Sequence, residues 1–164
     1  MSTPVAIGLT LPSGAGAAPV TCTDSSQACV IAAATTYLNA LVSHNSSGVR
    51  LAPNAIRTEN AYDTGDSGPG IANDLATNPQ YLLIHDIRDV RWFVDGDQAI
   101  AFYLLDVING LQIATTHVAE RFQVDNGLIE QIEAIDCTHP SLLAPEGERM
   151  PTPDPLIAEQ CIGQ

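Results

Sequence analysis

Three dipeptides, Asp95-Gly96, Asn109-Gly110 and Asn126-Gly127, punctuate the second half of the chain and restrict its fold more than any other feature. Each is a residue pair that tolerates the positive φ of a tight hairpin turn, and each separates runs of about ten residues in which apolar and polar side chains alternate. From about Tyr81 to Asp136 the pattern predicts four strands in an antiparallel meander, with no helix between them.

The first half reads differently. From Ser25 to about His44 the apolar residues Cys29, Val30, Ala33, Ala34, Tyr37, Leu38 and Leu41 recur at steps of three and four, which predicts an amphipathic helix capped by Asp24 or Ser25. Asn45 to Gly48 end it. Pro53 to Tyr62 reads as one short extended segment, and Ile71 to Ala76 as a short helix stopped by Asn78 and Pro79. The intervening DTGDSGPG lacks the ligand spacing of an EF-hand and reads as a solvated loop. Residues 1–21, with Gly14, Gly16 and three prolines, predict a flexible arm, residues 22–137 the domain, and residues 138–164, rich in proline, a tail that wraps it.

Composition narrows the function. Six arginines and no lysine face nineteen Asp and Glu, for a formal charge of -13, which repels a nucleic-acid backbone. No apolar run approaches the roughly 20 residues of a membrane helix. Cys22, Cys29, Cys137 and Cys161 lack zinc-ligand or redox spacing. Their placement before and after the domain suits two bridges from the N-terminal to the C-terminal pair, with a local Cys22 to Cys29 bridge or plain buried thiols as alternatives. The bridges favour an exported location slightly over the cytoplasm.

Two-residue turns at the first two dipeptides set a trial register. Tyr103 then faces Thr116, Ala101 faces Val118 and Ala99 faces Glu120, while Trp92 lies beside Ala99 and Arg88 beside Tyr103. One sheet face carries Asp86, Arg88, Trp92, Tyr103, Thr116, Glu120 and Phe122. The other carries His85, Ile100, Phe102, Leu104, Ile113 and His117, apolar enough to call for a second copy of the chain as its cover. Across the last turn either Glu133 or Ile132 lies opposite Glu120, and both registers favour a protonated Glu120.

The segments TTYLNAL and VAERFQVDNGLIEQI carry a resemblance. The second is similar to the closing F-x-V-x-x-G-x-I hairpin of the NTF2-like proteins, which include SnoaL-like cyclases and ketosteroid isomerases. The resemblance spans about Cys29 to Ile135 and implies an α+β fold: an NTF2-like cone in which a long N-terminal helix packs on a curved antiparallel sheet around a central pocket. It puts Tyr37 where the isomerases have their oxyanion-hole tyrosine and Glu120 where they have a protonated aspartate. Asn60 falls where they have their aspartate base, and an amide cannot take a proton from carbon. Glu59, one residue away, is expected on the other face of its strand.

The limonene-epoxide-hydrolase branch of the same fold places an Arg between two acids. Here Asp86 and Arg88 share one face and Asn60 and Tyr62 another, in reversed order, with Ala134 in place of the last acid.

The resemblance implies a cofactor-independent isomerase, cyclase or hydratase acting on a small, mostly apolar molecule. Its catalytic residues would be Tyr37, Glu120 and Asn60, with Tyr62, Arg88, Trp92, Tyr103, Thr116 and Phe122 against the substrate. Trp92, Tyr103 and Phe122 also read as ordinary core aromatics. A non-catalytic binding module and an epoxide hydrolase are the alternatives. No metal or cofactor is expected, and the partners expected are a small molecule and a second subunit.

Overall fold

The computed structural model describes residues 24, 26–109 and 112–139. Helix α1 spans Gln27–Ser43 and buries the expected stripe of Val30, Ala33, Ala34, Tyr37, Leu38 and Leu41. Its cap is Ser26, one residue later than expected. The Ser26 hydroxyl accepts from the Cys29 N–H at 3.3 Å, and the Asp24 carboxylate accepts from Ser26 N at 3.0 Å. His44, left-handed at φ 55°, closes the helix.

The segment expected to be one extended piece is a hairpin of β1 (Leu51–Glu59) and β2 (Tyr62–Gly65). Asn60 and Ala61 turn it with φ of 50° and 66°, the double positive φ of a two-residue hairpin turn. Asn60 is a usual occupant of that conformation, but Ala61 is not, so the turn left little trace in the sequence. Helix α2 (Gly68–Thr77) encloses the expected 71–76 helix and starts inside the stretch read as a loop, capped by the Ser67 hydroxyl. A Cβ on Gly68 would stand 2.2 Å from the Ala52 carbonyl oxygen, so glycine is what lets α2 lie directly on β1.

The meander follows as β3 (Ile84–Asp95), β4 (Gln98–Asn109), β5 (Gln112–Asp125) and β6 (Leu128–His139). The six strands form one curved, open sheet in the order β2-β1-β6-β5-β4-β3, antiparallel except for β1 on β6. Helix α1 packs against β3, β4, β5 and β6 and fills one end of the concave face.

Three details of the ladder correct the trial register. Asn109 pairs with Gln112, so β4 and β5 are displaced by two residues: Ala101 faces Glu120, Tyr103 faces Val118 and Ala99 faces Phe122. An even displacement keeps every side chain on its face, which is why the cavity face survives between these strands. In β3 an irregularity lies between Arg88 and Arg91, with Asp89 at φ 59°. That extra residue inverts the strand's faces and carries Asp86 and Arg88 to the convex side, where Arg88 donates to Asp106 at 3.0 Å. In β6 a second irregularity follows the two-residue turn and puts Ala134, neither Glu133 nor Ile132, opposite Glu120. Glu133 instead accepts from Arg121 at 3.0 Å.

Cys29 and Cys137 are each disulfide-bonded, and no described cysteine is free. The expected pairings with Cys22 and Cys161 lie outside the described residues, as do the arm and nearly all of the tail. No described helix is long and apolar enough to cross a membrane.

Candidate functional site

The open end of the concave face holds a cavity of about 590 Å³. Tyr37 reaches it from α1, Glu59 from β1, Tyr103 from β4, Glu120 from β5 and Asp136 from β6. Leu41, Ile84, Leu105, Val107 and Val118 supply apolar wall between these polar groups.

Among the described residues Glu120 is the acid shifted furthest upward. It is 2% exposed, and burial raises its carboxyl to about 8, against the pull of a Tyr103 hydrogen bond. The Tyr103 hydroxyl donates to Glu120 Oε2 at 2.8 Å. Oε1 has no hydrogen-bond partner among the described residues, so the proton of the neutral acid is available to a ligand. Ala101 and Ala134 flank Glu120 on the neighbouring strands, and their small side chains leave the carboxyl room.

Tyr37 is 1% exposed, and burial first, then the nearby Glu120, holds its phenol well above the usual range. Its oxygen accepts from Arg57 Nη1 at 3.4 Å, and its own O–H has no acceptor among the described residues. Tyr37 and Glu120 thus both bring unused protons to one cavity. The edge of Tyr37 against Phe122, with ring centres 5.5 Å apart, fixes the ring beneath the helix.

Arg57 escaped the sequence reading. It sits on β1 in the alternation Ala55, Arg57, Glu59, whose period of two was the signal available for it. The guanidinium is almost fully buried, and Nη2 donates to the Thr64 carbonyl at 2.8 Å and to Asp74 at 3.1 Å. Nε donates to the Thr64 hydroxyl at 3.1 Å and lies 3.9 Å from Glu59, while the plane covers the Tyr81 ring at 4.7 Å. This cation stands behind the cavity wall and ties β2 and α2 to Tyr37.

The same alternation reverses the expectation for Glu59 and Asn60. Glu59 shares the inner face with Arg57, lines the cavity and accepts from the Tyr81 hydroxyl at 2.8 Å. Asn60 occupies the turn at the rim, where its side chain bonds the Asp136 carboxylate and accepts from Asp136 N at 3.1 Å. Of the other residues expected at the substrate, Thr116 lines the cavity and Tyr62 stands at its mouth, 63% exposed. Trp92 and Phe122 pack on each other in the core at 6.3 Å and do not line the cavity. Arg88 is on the convex face.

The domain family described as "Domain of unknown function (DUF8021)" matches residues 23–135. No curated protein matches the sequence. Among solved structures, an epoxide hydrolase of the limonene-epoxide-hydrolase-like type from M. tuberculosis is 19% identical, with TM-score 0.58 over 66% of this chain and 83% of its own. The epoxide hydrolase/cyclase-like enzyme SalBIII, of pyran ring formation in salinomycin, is 10% identical, with TM-score 0.57 over 69% and 94%. An NTF2-like protein from Cytophaga hutchinsonii is 15% identical, with TM-score 0.53 over 65% and 88%. At these identities the structures speak to architecture alone, which agrees with the helix-on-curved-sheet arrangement above. The chain belongs to the DUF8021 family, and its domain is an NTF2-like cone.

Proposed function

We propose that the protein is a cofactor-independent enzyme of isomerase, cyclase or hydratase type that acts on a small, mostly apolar molecule inside the cone. The observation that carries this is the pair of buried donors, the neutral Glu120 and the Tyr37 phenol, facing one open cavity. Such donors stabilise oxygen charge as it develops, and they are strongest where water is excluded. Glu59 supplies the carboxylate that Asn60 lacks and is the group to take a proton from carbon or from water. The hydrolase/cyclase-like neighbours agree with this class of chemistry without naming a substrate. The residues first considered for an epoxide-hydrolase site, Asp86 and Arg88, lie on the convex face and take no part.

The test is turnover of a panel of small unsaturated ketones, lactones and epoxides. For any compound turned over, Glu120→Gln and Tyr37→Phe are each expected to lower kcat by about 10²–10³. Glu59→Gln is expected to lower it while leaving KM nearly unchanged. Unchanged rates in the Glu120→Gln, Tyr37→Phe double variant would sink the mechanism and favour a container without catalysis.

A homodimer through the convex face is part of the same proposal. Phe93, Ile100, Phe102 and Ile135 are exposed there, and Phe93 and Phe102 stack edge to face at 5.7 Å. An apolar group of this kind is uncommon on a monomer. Sedimentation at micromolar concentration is expected to show a dimer that Phe102→Glu dissociates; a wild-type monomer contradicts it.

A further inference from the structure

All four tyrosines of the chain, Tyr37, Tyr62, Tyr81 and Tyr103, line the one 590 Å³ cavity. Three carboxyl groups, Glu59, Glu120 and Asp136, line it with them, and no Arg, Lys or His does so among the described residues. Arg57 lies close by, but it is buried behind the wall and committed to Asp74, Thr64, Tyr37 and Tyr81. The space therefore combines negative charge with phenol rings and hydroxyls, the amides of Asn60 and Gln80, and aliphatic wall. That is the surrounding a compact organic cation seeks, because aromatic rings attract it without the desolvation demanded by a full ion pair. The charge of -13 on the whole chain adds a long-range field of the same sign.

We propose that the cavity takes a small molecule that carries a positively charged amine on an apolar body, with Asp136 as the residue that selects the charge. Asp136 lies on β6, two residues along the strand from Ala134, which faces Glu120. It is one step nearer the rim than the floor donors. One carboxylate oxygen is held by Asn60, and the other has no partner among the described residues. A ligand oxygen at Tyr37 and Glu120 and an amine at Asp136 are then met by one molecule lying along the cavity. The fields of Glu59 and Asp136, both of which push the Glu120 carboxyl upward, already act in this space.

This inference rests on the reading of Tyr37 and Glu120 as donors to a ligand oxygen, and the test separates the two. Choline and 3,3-dimethylbutan-1-ol have nearly the same shape and the same hydroxyl and differ in charge. Calorimetric titration of the full chain at pH 7 is expected to give choline at least about tenfold tighter binding. Asp136→Asn is expected to remove most of that difference while leaving the alcohol unchanged. Equal affinities, tighter binding of the alcohol, no binding of choline, or an unchanged preference in a folded Asp136→Asn protein would each overturn the proposal. Cyclohexanone serves as the neutral oxygen probe. If it binds and Tyr37→Phe weakens it while choline fails, the amine is wrong and the donors stand; if neither Tyr37→Phe nor Glu120→Gln alters its binding, the reading of the donors is wrong.

Discussion

Replacing Arg57 by Met is expected to lower folding stability by about 3 kcal/mol, read as a shift of the urea midpoint at constant slope. The guanidinium is 1% exposed, and its removal strands the Thr64 carbonyl, the Tyr37 oxygen and the Asp74 carboxylate at once. Asp74 and Glu59 keep some contact with solvent, which moderates the loss. Arg57→Lys is expected to recover only part of it, because an ammonium cannot reproduce the planar fork that serves Thr64 and Asp74 together. Loss of this cation also withdraws the charge that lowers the Glu120 carboxyl, so the variant's Glu120 should hold its proton to still higher pH. A change below about 1 kcal/mol would mean that the buried network is not a main tie between β1, β2 and α2.

The second large effect is a fall in stability with rising pH. Glu120 titrates at about 8 in the folded chain, against the ordinary glutamate value of 4.5. Between those values the folded state binds the extra proton, so deprotonation favours unfolding: stability from this group is fully present below about pH 4.5 and is lost as pH rises through 8. Each pH unit in that window costs about 1.4 kcal/mol, so the loss over the whole of it is on the order of 5 kcal/mol, an upper figure because the cavity admits water. Glu120→Gln should flatten this dependence and be the more stable protein at pH 8. Parallel pH profiles for the two proteins contradict a buried neutral acid.

The elements most legible from sequence were those whose signals are local. Helix α1 follows from its three-and-four spacing, and the meander from its turn dipeptides, so the α+β cone emerges almost complete. Glu120 and Tyr37 fall on the cavity side as expected because each lies inside a strongly periodic element, and an error of two residues in register leaves faces intact. Arg88 was misplaced because the bulge at Asp89 rests on one aspartate in a left-handed conformation, which carries no reliable sequence mark. Ala134 opposite Glu120 was missed for a similar reason: the bulge follows the Asn126-Gly127 turn rather than replacing it. Arg57 and Glu59 were lost with the hairpin, because a segment read as a lone extended piece has no partner strand to define an inner face. Its partner β6 lies far along the chain and runs parallel to it, a pairing that no local pattern announces.

The central claim, a neutral carboxylic acid at the floor of the cone at physiological pH, can be read without any substrate. The side-chain carboxyl carbon of Glu120, assigned by its loss in Glu120→Gln and followed by carbon-13 NMR across pH 4 to 10, should shift with a midpoint near 8. A midpoint near the ordinary glutamate value of 4.5 would show an ionised carboxylate there and remove the donor on which the proposed chemistry depends.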